Sequence, residues 1–300
     1  MSKITLFLLF IGIFGQLSAQ NISYKKYEYV GTGASQHYQY LPMLAGKHIG
    51  VVTNHTAIIQ KIVHQKDSTI TVQNEHLVDF LLSKKVKIDK VFAPEHGFRG
   101  TADAGEVIKD GVDTKTKLPI VSLYGKNKKP TAEQLKGIEV MLFDLQDVGV
   151  RFYTYISTLH YVMEACAENY IPLVILDRPN PNGHFMDGPV LEPAYKSFIG
   201  MHPVPVVYGM TIAEYAQMIN GEKWLKGGLQ CNLKIVPLKS YDRKAIYPLP
   251  VPPSPNLPNA TAVNLYPSLC FFEGTQVSMG RGTKWQFQIY GSPYLEKTAF

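Results

Sequence analysis

The sequence predicts an α/β fold in which an open parallel sheet carries helices on both faces. Short apolar stretches alternate with stretches of helical periodicity, which is typical of strand–helix–strand units. Residues 138–145 and 171–177 are almost wholly apolar, as expected for strands that are covered on both faces. Polar motifs follow four of the predicted strands, which indicates a functional edge of the sheet.

Each element has its own local signal. The predicted strands are short and mainly apolar, and they cover residues 47–53, 90–93, 119–124, 138–145, 171–177 and 232–238. The predicted helices repeat apolar residues every three or four positions, and they cover residues 74–84, 154–169 and 211–220, with a further short helix from residue 131. Thr131 with Gln134, and Thr211 with Glu214, form capping boxes that begin two of these helices.

The chain divides into three predicted segments. We expect a signal peptide at residues 1–19, a Rossmann-like domain at 20–190 and a smaller C-terminal α/β subdomain at 191–300. The second boundary rests on the prolines, which become frequent after Gly188. Ligands of such sheets bind beyond the carboxyl ends of the strands, so we expect an active-site cleft there, between the two domains.

The first residues predict secretion. Lys3 precedes an apolar run, Ile4 to Phe14, and Ala19 supplies the small residue of a cleavage site. A membrane anchor or a buried first strand is the alternative, but the run is short for a bilayer span. We therefore expect a periplasmic or secreted protein with no stable membrane anchor after the signal is cleaved.

Composition and motif order exclude several classes of function. Lys and Arg number 30 against 24 Asp and Glu, and this net charge of +6 is spread along the chain, so we expect no nucleic-acid partner. The three cysteines form neither a disulfide framework nor a zinc spacing. Residues 31–33 (GTG) precede the first strand instead of following it, which argues against a nicotinamide site. We expect no cofactor and no metal, although His55, His96 and Asp147 leave a metal-dependent hydrolase open as an alternative.

Carboxylate chemistry remains. Glu95 follows a predicted strand within a glycine-containing turn, so it is the leading candidate for a catalytic acid, and His96 beside it is a further catalytic candidate. A glycosidase needs one carboxyl group that donates a proton to the leaving oxygen and a second that assists. Asp147, just past another strand, is the preferred second carboxylate, with Asp144 and Glu273 as further candidates. A structural role for Glu95, bonded to the backbone of its own turn, is the alternative.

A second set of polar residues is expected to bind substrate. Arginine forks pair with carboxylates at two points, which suits an acidic sugar substituent, and tyrosine rings suit sugars. An ion pair with Asp147 is the alternative role for Arg151. The candidate substrate-binding residues are Asn54, Arg99, Arg151, Tyr153, Arg178, Asn180, Asn256, Glu273 and Arg281.

The ordered motifs of the chain resemble those of the bacterial exo-β-N-acetylmuramidases, a family of peptidoglycan-recycling glycoside hydrolases once catalogued as a domain of unknown function. The matching motifs lie at residues 93–100, 144–155, 177–181, 253–258, 273–275 and 280–283. The resemblance implies a Rossmann-like domain with a smaller C-terminal one. It also implies release of N-acetylmuramic acid from the non-reducing ends of peptidoglycan fragments, with Glu95 as the catalytic residue and muropeptides or disaccharides as substrates.

The sequence departs from the family pattern at two places. Members usually continue past the position equivalent to Phe300, so the resemblance implies an incomplete C-terminal subdomain. Lys284-Trp285 stands where the family usually has Pro-Phe. A two-lobed protein that binds sugars or muropeptides without turnover remains the alternative to the glycosidase.

Overall fold

The computed structural model describes residues 30–64, 70–100, 106, 109–244, 247–296 and 298. Seven strands form the main sheet in the order β5-β6-β4-β1-β7-β8-β9, and all neighbours are parallel except β5 and β6. These strands are β1 His48–Thr53, β4 Lys87–Ala93, β5 Gly111–Val112, β6 Pro119–Ser122, β7 Val140–Asp144, β8 Leu173–Leu176 and β9 Leu233–Val236. A separate antiparallel pair consists of β2 Ile58–His64 and β3 Ile70–His76. The α/β class and the parallel sheet are therefore confirmed.

Helices cover both faces of the sheet. Six α-helices occur in the described part of the chain: α1 His37–Leu44, α2 Leu77–Ser83, α3 Ala132–Leu135, α4 Tyr155–Glu168, α5 Ile212–Gly221 and α6 Ala260–Leu269. Neighbouring residues of one strand point to opposite faces, so Val51 packs with α1 and α2 while Val52 packs with α4 and α5. Each face thus has its own apolar core.

The structure corrects two parts of the element prediction. The predicted helix 74–84 begins only at Leu77, because Asn74–His76 complete β3 and pair with β2. The strand predicted at 232–238 was assigned to the C-terminal subdomain, but β9 hydrogen-bonds in parallel to β8 and is an edge strand of the main sheet. The capping boxes at Thr131 and Thr211 are both present.

The glycine-rich turn before β1 packs against the sheet. The backbone N–H of Gly33 donates to the Asp177 carbonyl at 2.8 Å. A Cβ at Gly33 would lie 2.5 Å from the backbone of both Asp177 and Val236, so only glycine permits this approach. These residues therefore brace the ends of β8 and β9.

Two regions of the chain are relevant to membrane attachment, the predicted signal peptide and the described helices. The predicted signal peptide, residues 1–19, lies outside the described residues. Of the helices that the structure describes, none is both long and apolar enough to cross a membrane.

Candidate active site

The polar motifs meet where the sequence predicts, at the carboxyl ends of the parallel strands. The turn at Glu95 follows β4, and the segment after β7 leads through Tyr153 into α4. The proline-rich stretch 247–258 crosses this edge, held by hydrogen bonds from His55 Nε2 to the Pro252 carbonyl and from the Tyr153 hydroxyl to the Pro253 carbonyl, both at 2.9 Å. A cavity of about 280 Å³ lies between these segments.

This space, which we call the Glu95 cavity, combines carboxylates, hydroxyls and aromatic rings. Its lining residues are Glu95, His96, Tyr124, Phe152, Tyr153, Thr154, Ile199, Ser254, Asn256, Leu257, Tyr266, Glu273, Arg281 and Phe287. Six of them were predicted as site residues: Glu95, His96, Tyr153, Asn256, Glu273 and Arg281. Carboxyl groups beside aromatic faces suit the hydrolysis or binding of a sugar.

Glu95 is held from two sides. Thr154, at the start of α4, donates its hydroxyl to Glu95 Oε2 at 2.7 Å. Tyr124, just after β6, is hydrogen-bonded to the same side chain; burial and the Glu95 charge and hydrogen bond together raise the pKa of Tyr124 to about 12. The Glu95 side chain therefore bonds to groups from two other segments of the chain.

His96 adopts an unusual backbone conformation beside Glu95. Its φ is +69°, and its side chain is only 4% exposed although it lines the cavity. Left-handed backbone at a residue other than glycine is a strained conformation that concentrates at functional sites. The turn thus presents Glu95 and His96 together to the cavity.

Sequence reasoning missed several lining residues. Thr154 belongs to a motif that resembles the family and Tyr124 ends a predicted strand, but their hydroxyls carry no signal that distinguishes them from those of helix caps and core tyrosines. Tyr266 lies on α6, and Ser254 lies in the proline-rich stretch. Only the fold shows that these segments meet Glu95.

Three of the predicted substrate-binding arginines are bonded inside the protein. Arg178 is buried and forms a two-point ion pair with Asp144, with Nη2 at 2.9 Å from Oδ2. Arg151 donates to the carbonyls of Pro189 and Val204 at 2.8 and 2.6 Å, so its alternative pairing with Asp147 is absent as well. Neither of these arginines lines the Glu95 cavity.

Arg99 is the third. It forms a two-point ion pair with Asp113, with Nε 2.9 Å from Oδ1, and its guanidinium lies over the Phe98 ring. Burial alone would raise the pKa of Asp113, but hydrogen bonds from Arg99 and Thr116 outweigh it and hold that pKa well below its usual value. Arg99 therefore stabilises the loop ahead of β6 and is not a cavity residue.

Two predicted asparagines are also structural. Asn54 is fully buried; its Nδ2 donates to the Tyr155 hydroxyl at 2.6 Å and its Oδ1 accepts from the N–H and hydroxyl of Thr56. Asn180 donates to the Met210 carbonyl at 2.8 Å. Both residues hydrogen-bond to protein groups and neither lines the Glu95 cavity, so their role in substrate binding stays a prediction.

Asp147 is likewise absent from the residues described as lining the cavity. Its Oδ2 accepts from the Gly149 N–H at 2.6 Å and from the Tyr208 hydroxyl, whereas its Oδ1 has no hydrogen-bond partner in the described part of the chain. Burial raises the pKa of Asp147 to about 7, against the lowering effect of hydrogen bonds from Tyr208 and from the backbone of Gly149 and Val148. The carboxylate that shares the cavity with Glu95 is Glu273.

His55 and His96, which the metal alternative invokes, do not form part of a larger ligand cluster among the described residues. His55 bonds to Pro252, and no group of three or more His, Cys, Asp or Glu side chains there could hold an ion. A larger, mainly apolar cavity of about 700 Å³ lies along the proline-rich stretch. Its polar lining residues include His184 and Lys244 but no carboxylate, so the Glu95 cavity is the candidate active site.

The fold and the site define an α/β protein of the open-sheet class. Such proteins bind their ligands in a crevice beyond the carboxyl ends of the parallel strands, where the Glu95 cavity lies. Within it, the chain belongs to the exo-β-N-acetylmuramidase NamZ family. The model of the family's N-terminal part matches residues 49–261, and that of its C-terminal part matches residues 264–300.

Individual relatives agree with this assignment. The chain is 42% identical to the peptidoglycan β-N-acetylmuramidase NamZ of Bacillus subtilis (strain 168) over 264 residues, which is 86% of this chain and 60% of that protein. Two crystal structures of DUF1343 family proteins from Bacteroides fragilis NCTC 9343 are similar to it. They give TM-scores of 0.78 and 0.76 at 44% and 34% identity, and the match covers 90% of this chain and 69% and 67% of theirs.

Proposed function

We propose that this protein is an exo-acting glycoside hydrolase that releases N-acetylmuramic acid from the non-reducing ends of peptidoglycan fragments. The observation that carries the proposal is Glu95, placed in a cavity of sugar size with aromatic and hydroxyl-bearing walls. The identity to a peptidoglycan β-N-acetylmuramidase supports this substrate class.

Glu95 is the acid–base group of the proposed reaction. Its carboxyl group donates a proton to the glycosidic oxygen as the bond from that oxygen to the anomeric carbon breaks. A water molecule supplies the hydroxyl of the released sugar, and its remaining proton returns to the enzyme. Thr154 and Tyr124 fix the carboxyl group for this transfer, and Glu273 is the second carboxylate near the anomeric carbon.

The remaining cavity residues position the sugar. Tyr153 and Tyr266 offer aromatic faces, and Asn256 offers an amide for the sugar's hydroxyl or acetamido groups. The predicted signal peptide supports a periplasmic or secreted location, where peptidoglycan fragments are accessible.

The test is a release assay on the full chain with a chromogenic β-N-acetylmuramide. We expect the wild type to release the chromophore and Glu95→Gln to lose at least about 100-fold, because the amide cannot deliver a proton. Glu192→Gln is the matched control, the same acid-to-amide change at an exposed glutamate outside the cavity, and should retain activity. The β-N-acetylglucosaminide tests substrate choice.

Two results would refute the proposal. Equal activity of Glu95→Gln and wild type would remove Glu95 from the chemistry. Tight sugar binding by the wild type without any release would identify a binding protein instead of a hydrolase.

A further inference from the structure

Arg281 differs from the other arginines that the sequence places near the site. Arg99, Arg151 and Arg178 are bonded to groups inside the protein, as described above. Arg281 is the one Lys or Arg among the described residues that line the Glu95 cavity. Among the described lining residues, the guanidinium of Arg281 is therefore the side chain that carries a permanent positive charge.

The guanidinium of Arg281 is only weakly engaged. Its side chain is 41% exposed, and its Nη2 lies 3.4 Å from Glu273 Oε1. The guanidinium also lies 6.0 Å from the centroid of the Phe287 ring. Ion contacts between exposed side chains are weak, so most of the donors of this guanidinium remain available to a ligand.

The backbone fixes where Arg281 stands. It lies between Gly280 and Gly282, which have φ of +74° and +79°. A Cβ on Gly280 would lie 2.5 Å from the Trp285 carbonyl oxygen, so the turn requires glycine there. The Phe287 N–H donates to the Met279 carbonyl at 2.8 Å, and both side chains are buried. A tight, anchored loop thus presents Arg281 to the cavity.

We propose that Arg281 binds the carboxylate of the lactyl ether on the sugar and is the residue that selects N-acetylmuramic acid over N-acetylglucosamine. This inference rests on the proposed function, because it takes the cavity's ligand to be a muramyl sugar. A guanidinium fork pairs with a carboxylate at two points, and N-acetylglucosamine offers no such group.

Binding measurements on the full chain test the proposal without requiring turnover. Isothermal titration compares N-acetylmuramic acid with its methyl ester, which keeps the sugar but removes the charge. We expect the wild type to bind the acid about 10- to 100-fold more tightly than the ester, because hydrogen bonds to a charged group contribute that much to affinity. Arg281→Gln should abolish this preference, and Arg281→Lys should keep part of it because the charge remains while the fork is lost.

Arg243→Gln is the matched control. Arg243 is also a partly exposed arginine paired with a glutamate, Glu214, but it lies outside the Glu95 cavity. Its variant should keep the full preference for the acid. Equal binding of acid and ester by the wild type, an undiminished preference in Arg281→Gln, or no binding of either ligand would each overturn the proposal.

The release assay on the same samples separates the two proposals. A preference for the acid that depends on Arg281, without release from any muramide, supports the role of Arg281 and refutes the hydrolase. Release that is lost in Glu95→Gln, with no preference between acid and ester, refutes the role of Arg281 alone.

Discussion

At the residue scale, Asp147 shows how burial changes the chemistry of a carboxyl group. One of its oxygens accepts two hydrogen bonds, and the other has no partner among the described residues. Burial raises its pKa to about 7, well above the ordinary aspartate value of 3.8. The folded protein therefore holds a proton that the unfolded chain releases between about pH 4 and pH 7.

This difference makes stability depend on pH. Since the unfolded state binds fewer protons across that window, stability falls as pH rises from about 4 to about 7 and then levels off. Asp147→Asn removes the titrating group. We expect the Tm of wild type relative to Asp147→Asn to decrease by at least about 3 °C between pH 5 and pH 8, since a tenfold change in proton affinity corresponds to about 1.4 kcal/mol.

Thermal denaturation of both proteins at several pH values measures this effect. Asp187→Asn, at an exposed aspartate, is the control and should follow the wild-type pH dependence. A constant Tm difference between wild type and Asp147→Asn from pH 5 to pH 8 would contradict the assignment of a buried, protonated Asp147.

The sequence could not have shown that Asp147 and three of the arginines bond to other protein groups and lie outside the Glu95 cavity. Each stands in a polar motif at a strand end, as a ligand-binding residue would. Whether such a side chain reaches the cavity depends on partners in other segments of the chain. Arg99 forms an ion pair with Asp113, and Asp147 accepts a hydrogen bond from Tyr208. The position of Glu95 beside the cavity could be predicted, because its glycine-containing turn directly follows a predicted strand and both features are local in the sequence.

At the element scale, local signals predicted most helices and strands of the main sheet. The capping boxes of α3 and α5 are present because both hydrogen bonds of a box join residues only three apart. The β2–β3 pair was missed because its second strand, Ile70–His76, carries a polar run at Gln73–Glu75 that breaks the apolar pattern. Its pairing partner decides its conformation, and that partner is not local.

The two capping threonines differ in their surroundings, which gives a matched comparison. Thr131 is exposed and caps only α3. Thr211 is buried; besides capping α5, it donates its hydroxyl to Asp177 Oδ2 at 2.9 Å. We expect Thr131→Ala to lower the free energy of unfolding by about 1 kcal/mol and Thr211→Ala by about 2–3 kcal/mol, because a buried acceptor also loses its donor.

Urea denaturation measures both values. Thr211→Ser keeps the hydroxyl and should recover most of the stability that Thr211→Ala loses. Equal losses for the two alanine variants would show that the bond to Asp177 contributes nothing beyond the cap.

At the scale of the whole molecule, the Glu95 cavity is shared between distant parts of the chain. Its first wall comes from the strand ends of the main sheet, and its second from residues 254–287. Hydrogen bonds from His55 and Tyr153 to the carbonyls of Pro252 and Pro253 attach the segment that precedes the second wall to the sheet side. A sugar bound between Glu95 and Arg281 would contact both walls at once.

Hydrogen exchange tests whether one ligand engages both walls. Saturating N-acetylmuramic acid should slow amide exchange at residues 94–100 and 273–287 together, because opening either wall then requires release of the sugar. Exchange in the β2–β3 pair, which contributes no cavity residue, should not change. In Arg281→Gln, protection at residues 273–287 should weaken at the same sugar concentration. Protection confined to residues 94–100 in the wild type would show that the sugar contacts the sheet wall alone, and the C-terminal wall would then have no part in holding it.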